Sequence, residues 1–164
     1  MIQTERLNIY PLSDDEMRDV IKNESNKALK AAYSAMLAGC LKNPEQRIWH
    51  AMWVLQLNDG SGRIVGSFSF KGLNDNGMVE IGYGMNPGYE GKGFMTEAVS
   101  AAVRWASKQP GVLSIEAETE PENVASQRVL EKAGFIPSGV MGTEGPRYVW
   151  KTGPTGVILN TVGR

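Results

Sequence analysis

Leu7 and Ile9 lie in an alternating apolar–polar run that predicts a short strand stopped by Pro11. Ser13-Asp14-Asp15-Glu16 reads as a helix start, with Ser13 as N-cap and Glu16 three residues on to close a capping box. Helix then continues intermittently to about Leu41. Its second part, from Asn26, is rich in Ala, Leu, Met and Lys and is expected to end at Gly39 and Asn43-Pro44, with a short further turn of helix after it. Three strands are predicted next, Ala51 to Leu57, Arg63 to Phe70 and Met78 to Met85, joined by turns at Asn58–Gly62 and Asn74–Gly77. Pro87 and Gly88 break the third strand, and the period changes. Met95, Ala98, Val99, Ala102, Val103 and Ala106 recur at helical spacing and predict a helix from Phe94 to Lys108. A strand over Val112–Thr119, a helix over Glu122–Ala133 stopped by Gly134, and a hairpin of Phe135–Met141 with Arg147–Lys151 complete the pattern. Val157-Ile158-Leu159 is a candidate short strand in the tail. The order describes an α+β domain around a mostly antiparallel sheet.

Composition changes this picture little. A chain of 164 residues fits one domain, with a core over about 1–152 and a tail over 153–164. Hydrophobic residues make up 41% and charged residues 21%, and the formal net charge is -1, which argues against a general nucleic-acid binder. No apolar run approaches the roughly 20 residues of a membrane span, and Met1-Ile2-Gln3-Thr4-Glu5-Arg6 lacks the layout of a signal peptide. One cysteine, Cys40, precludes an intramolecular disulfide and fits a reducing compartment, so a cytoplasmic monomer or homodimer is expected.

The chemistry concentrates where the third strand meets the next helix. Gly88, Gly91 and Gly93 let the backbone approach a ligand, and the helix N-terminus beyond them offers unpaired N–H groups and partial positive charge. That combination suits phosphate, although a glycine turn that merely starts a helix would look alike. It is not a P-loop, because Lys92 is followed by Gly93 where Ser or Thr is required. Nor is it the dinucleotide fingerprint, since Gly91-Lys92-Gly93-Phe94-Met95-Thr96 ends in Thr and follows a meander instead of a parallel strand.

Three segments together are more specific: Thr4-Glu5-Arg6-Leu7, the run from Val79 through Pro87 to Glu90-Gly91-Lys92-Gly93-Phe94-Met95-Thr96-Glu97-Ala98, and Asn123 through Phe135. In this order and spacing they resemble the GNAT superfamily of acetyl-CoA-dependent N-acetyltransferases, in particular the branch that includes acetyltransferases of ribosomal-protein N-termini. The resemblance implies the GNAT-like acyl-CoA N-acyltransferase fold, acetyl-CoA as acyl donor, no metal, and an amine acceptor that is a small molecule or a protein N-terminus. It implies that the backbone of Tyr83, Gly84 and Met85 pairs with the pantetheine arm. Gly91, Lys92, Gly93, Phe94, Met95 and Thr96 would hold the pyrophosphate, and Asn123 the pantetheine chain or leaving-group region. Lys92, Arg128 and Lys132 become candidates for the 3′-phosphate, against the plainer reading of solvated surface charge. Two positions depart from the family turn. Glu90 stands where Gln or Arg is usual, and Met95 where Gly or Ala is, so a weaker grip on phosphate is expected.

An amine must lose a proton before it attacks a thioester. Glu80, on the strand that the resemblance sets beside the acetyl group, is the first candidate base, and Glu118 the second. Glu116, Glu118 and Glu120 alternate, so they are expected on one strand face. Ion-paired or solvated carboxylates are the alternative for all of these. The family tyrosine seven residues after the motif asparagine is here Leu130, and Ser126 takes its place as the expected donor to the leaving sulfur. His50 is read as structural or surface and Cys40 as buried filler, while Tyr33, Met36, Trp49 and Trp53 are weak candidates to line an acceptor pocket. A non-catalytic acyl-CoA-binding or regulatory module is the alternative to an enzyme.

Overall fold

The computed structural model describes residues 1–151. Its elements are β1 (Ile2–Gln3), β2 (Leu7–Pro11), α1 (Asp14–Asn23), α2 (Lys27–Lys42), a 3₁₀ segment (Pro44–Trp49), β3 (Met52–Leu57), β4 (Ile64–Leu73), β5 (Met78–Met85), α3 (Phe94–Ser107), β6 (Ser114–Glu118), α4 (Val124–Lys132), β7 (Ile136–Met141) and β8 (Pro146–Lys151). The strands form one sheet in the order β1-β2-β3-β4-β5-β6-β8-β7. Every neighbouring pair is antiparallel except β5 with β6. A parallel pair needs a crossover, and α3 supplies it. The α+β expectation therefore holds. The tail segment Val157-Ile158-Leu159 lies outside the described residues.

Alternation divides the sheet into two faces. Val79 and Ile81 of β5 join Phe68 and Phe70 of β4, Trp53 and Leu55 of β3, and Leu7 and Ile9 of β2 in one core. α3 closes that core with Ala98, Val99, Ala102, Val103 and Ala106, the positions that the helical period selects. Phe70 is 1% exposed and touches Trp49, Trp53, Phe68 and Trp105 at centroid distances of 4.9–5.9 Å. The opposite face is thinner. Met52 and Val54 pack there against Leu12, Met17, Ala51 and Cys40, beneath α1 and α2. α1 begins as expected: Ser13 Oγ accepts from Glu16 N at 3.1 Å, and Glu16 Oε1 accepts from Ser13 N at 3.0 Å.

Several boundaries move for identifiable reasons. Gly39 does not end α2, which runs on to Lys42. A Cβ at Gly39 would lie 3.0 Å from His50 Nδ1, so this glycine makes room for the imidazole. β4 continues beyond Phe70 to Leu73 through an irregularity at Gly72, whose φ is +86°. Glu116 and Glu118 share a face, but Glu120 falls beyond the end of β6. Trp49 and Trp53 belong to the aromatic core. Among the described residues no helix is long and apolar enough to cross a membrane.

Candidate active site

β5 and β6 are in register from Met78↔Ser114 to Ile81↔Ala117 and pair no further. Beyond that point β5 pairs on one side only, with Ser69↔Gly82, Phe68↔Tyr83, Ser67↔Gly84 and Gly66↔Met85 of β4. The other edge of Gly82–Met85 is left open, because β6 follows β8 instead: Thr119 N donates to Pro146 O at 3.2 Å. An open strand edge takes an extended, amide-bearing chain as an added strand. No atom lies within 4 Å of the place a Cβ would occupy at Gly84.

The turn that follows has Gly91 at φ +73° and Gly93 at φ +79°, conformations that a Cβ disfavours. Gly93 caps α3 without a side-chain hydrogen bond, which leaves the first N–H groups of this helix without a cap acceptor among the described residues. Glu90 is exposed. Met95 is 6% exposed and belongs to the core, so its bulk points away from the turn and its backbone stays available. Lys92 Nζ lies 5.6 Å from the Tyr89 ring. The turn is anchored from a distance. Arg6 Nη1 donates to Lys92 O at 3.0 Å, its Nε pairs with Glu97 Oε1 at 2.8 Å, and its Cζ sits 4.3 Å over the Phe94 ring. Thr4 Oγ1 and Arg6 N both donate to Glu97 Oε2. Burial pushes the Glu97 carboxyl up, but the hydrogen bonds from Thr4 and Arg6 and the Arg6 charge together hold it below its ordinary value. Thr4, Arg6 and Glu97 all stand inside the recognised motifs, yet nothing local in the sequence shows that they meet.

Across the gap, Asn123 caps α4, its Oδ1 accepting from Ser126 N at 3.0 Å. Ser126 Oγ lies 2.9 Å from the Tyr83 hydroxyl, which also donates to Ser126 O at 3.2 Å. Tyr83 therefore ties β5 to the first turn of α4 through its side chain, a contact the sequence reading missed by considering only its backbone. Burial raises the Tyr83 phenol above its ordinary value, so it stays protonated at neutral pH. Leu130 is fully buried in the core. Arg128 and Lys132 are exposed and make no ion pair among the described residues.

Glu80 and Glu118 converge on a residue that local pattern did not single out. Arg147 Nη1 lies 2.8 Å from Glu80 Oε1 and 3.3 Å from Glu118 Oε1, and its Nε is 3.5 Å from Glu116 Oε1. Lys71 Nζ adds a looser contact to Glu80 at 3.7 Å. Glu118 also accepts from Glu144 N at 3.1 Å and sits where any side chain at Gly142 would be. Burial alone would lower the Arg147 pKa, but its hydrogen bonds and charge contacts with the carboxylates raise it. The partners are 67 and 29 residues away from Arg147 in sequence, so only the β5-β6-β8 order brings them together.

These residues fit an acyl-CoA. Thr119 is 4% exposed and its Oγ1 has no hydrogen-bond partner among the described residues, an orphaned polar atom just past the last paired residues of β6. The open β5 edge, the uncovered helix terminus and the free space at Gly84 and Gly91 suit an amide-containing arm that ends in phosphates. Among the described residues, no group of three or more His, Cys, Asp or Glu is placed to hold a metal ion.

The described sheet opens beside its parallel pair, and a glycine turn leads from the opening to the N-terminus of α3. Residues 5–136 match the family model described as acetyltransferase (GNAT) domain, and the chain belongs to that family. It is 40% identical over 85 residues to the uncharacterized N-acetyltransferase YjdG of Bacillus subtilis (strain 168), covering 51% of this chain and 50% of that protein. The chain thus spans about half the length of this curated relative. A GNAT-family acetyltransferase from Bacillus anthracis superposes with a TM-score of 0.63 at 25% identity, over 90% of this chain and 95% of that one. The ribosomal L7/L12 α-N-protein acetyltransferase RimL in complex with coenzyme A gives a TM-score of 0.70 over 90% and 95% of the two chains. At 13% identity that is a likeness of fold alone.

Proposed function

We propose that this chain is an acetyl-CoA-dependent N-acetyltransferase that moves the acetyl group to a primary amine by direct attack in a ternary complex. The observation that carries the reading is the unpaired edge of Gly82–Met85, which ends at the turn of Gly91 and Gly93 and the bare N-terminus of α3. The names of the curated relatives and the coenzyme A complex of RimL support it.

In this reading acetyl-CoA supplies the activated acyl group. The backbone of Tyr83, Gly84 and Met85 holds the pantetheine arm and polarises the carbonyl, and residues 91–96 hold the pyrophosphate. Arg128 and Lys132 stand ready for further phosphate charge. A C–N bond forms to the amine and the C–S bond breaks. The proton lost by the amine goes to Glu80, directly or through water, and the thiolate takes a proton from the Tyr83–Ser126 hydroxyl pair. Glu80 shares the sheet face of Gly82 and Gly84, with about 13 Å of strand between Glu80 and Gly84, so a water relay fits better than direct contact. The Arg147 pairing holds the Glu80 and Glu118 side chains in place.

That same pairing favours one second reading, a module that binds acyl-CoA without turnover, since Arg147 engages both candidate bases. Two measurements decide. Acetyl-CoA at a hundred times its dissociation constant should stabilise the protein by about 2.7 kcal/mol, and no thermal shift at millimolar acetyl-CoA overturns cofactor binding. Free CoA released against an amine panel should fall about a hundredfold in kcat for Glu80→Gln. Binding without any CoA release would establish the module.

A further inference from the structure

The sheet face opposite α3 holds a pocket of about 410 Å³. Its floor follows one row of paired residues. Tyr10 is in register with Val54, Val54 with Ser67, and Ser67 with Gly84. Residues paired in this way present their side chains on one face, so the row leads from Tyr10 across β3 and β4 to the open space at Gly84. Three strand spacings make it about 14 Å long. Tyr10, Val54 and Ser67 of this row line the pocket, and Tyr33 of α2 lines it from above.

The charge of the lining has one sign. Glu16 and Asp19 of α1 border the pocket, and none of its lining residues is Lys, Arg or His. The Asp19 side chain makes no hydrogen bond or ion pair among the described residues, and the Glu16 side chain uses only Oε1 in the helix cap. Two exposed carboxylates with no ion-pair partner among the described residues thus stand on the α1 wall. They do not serve the reacting nitrogen, which must be uncharged when it attacks at the Ser67–Gly84 end. They fit a charge that persists through the reaction. Apart from Ser67, Asn86 and Gly66, the rest of the lining is aromatic and aliphatic.

We infer that the acceptor is a small diamine-like molecule: a primary amine joined through an apolar or aromatic body to a second cationic group, which Glu16 and Asp19 bind. This rests on the acetyltransferase reading, with the pocket as its acceptor side. The second cation keeps its proton throughout, and only the nitrogen at Gly84 loses one and gains the acetyl group.

The test pairs two probes of one carbon skeleton, p-xylylenediamine and 4-methylbenzylamine, which differ by one amino group. kcat/KM for CoA release should favour the diamine by about tenfold, beyond the twofold that its two equivalent amines give. The preference should shrink as salt is raised. In the Glu16→Gln/Asp19→Asn double variant it should fall to about twofold, with the KM for acetyl-CoA unchanged, since a glutamine side chain also closes the helix cap. Equal rates for the two probes in the parent protein, or a preference that survives in the double variant, overturn the inference and leave the acetyltransferase reading intact. Absence of both acetyl-CoA stabilisation and turnover overturns that reading instead. In that event, or if no probe is turned over, titration calorimetry of the diamine decides the pocket: heat of binding that the double variant loses supports it, and no binding refutes it.

Discussion

The two faces of the sheet are built to different standards of fit. On the α3 face, Trp49, Trp53, Phe68, Phe70 and Trp105 interlock, and a network from Thr4 and Arg6 through Glu97 pins the glycine turn to the strands behind it. On the α1–α2 face, a small cluster around Met17 and Cys40 supports helices whose outer sides are largely exposed, and a pocket remains between them and the sheet. In the proposed reading the first face would meet the same ligand in every turnover and profit from preorganisation. The second would meet the amine, and its looser cover is where specificity would be adjusted.

The sharpest way to break this contrast is to remove one side chain from each face. Phe70→Ala should cost about 3–5 kcal/mol, because a ring that touches four aromatic neighbours leaves a cavity they cannot refill. Leu37→Ala on α2, where the side chain is only half-buried, should cost less than about 2 kcal/mol. Urea denaturation of the two variants measures both. Equal losses would mean that the α1–α2 face is as tightly built as the other.

The contrast also governs what the sequence revealed. The α3 face was readable because its signals are local. Period 3.6 in Met95, Ala98, Val99, Ala102 and Ala106, the glycines before it and the alternation in β5 each name an element and its buried side. The capping box at Ser13 was readable for the same reason. Interactions closed by topology were not. Arg147 reaches carboxylates on two other strands, and Arg6 reaches across 91 residues to Glu97, so neither contact has a signature in spacing. Gly39 misled because glycine near a helix end commonly marks its stop, whereas here it accommodates the His50 ring. Trp49 and Trp53 join the core, the more usual place for aromatic residues at strand spacing.

A smaller effect sharpens the comparison at the turn. Glu97 is held ionised by Thr4 and Arg6, with its pKa depressed on folding. A depressed carboxyl contributes stability that is present above its unfolded pKa and is lost as pH falls through the folded value. Glu97→Gln should therefore destabilise by about 1–2 kcal/mol at neutral pH and make the acid side of the stability profile shallower. It should also raise the KM for acetyl-CoA several-fold, because the Arg6 contact to Lys92 O loses its support. Thermal melts from pH 3 to 7, with acetyl-CoA titrations at pH 7, test both. An unchanged acid limb would show that Glu97 is not the group that couples this anchor to pH.

The smallest effect separates the faces most cleanly. Ser13→Ala removes the acceptor for Glu16 N and loosens the partner bond from Ser13 N to Glu16 Oε1, at a cost of about 1 kcal/mol. The buried residue of the helix it caps, Met17, lies in the cluster on the opposite face from α3. Affinity for acetyl-CoA should therefore not change. The Glu16 carboxylate, however, loses the cap that orients it at the pocket wall, so the KM for a diamine acceptor should rise about two- to threefold with kcat unaltered. A parallel loss of acetyl-CoA affinity would mean that the faces are mechanically coupled through the sheet. A rise in acceptor KM alone would show that donor and acceptor sites can be altered one at a time, and that α1 is the element to change when another amine is to be admitted.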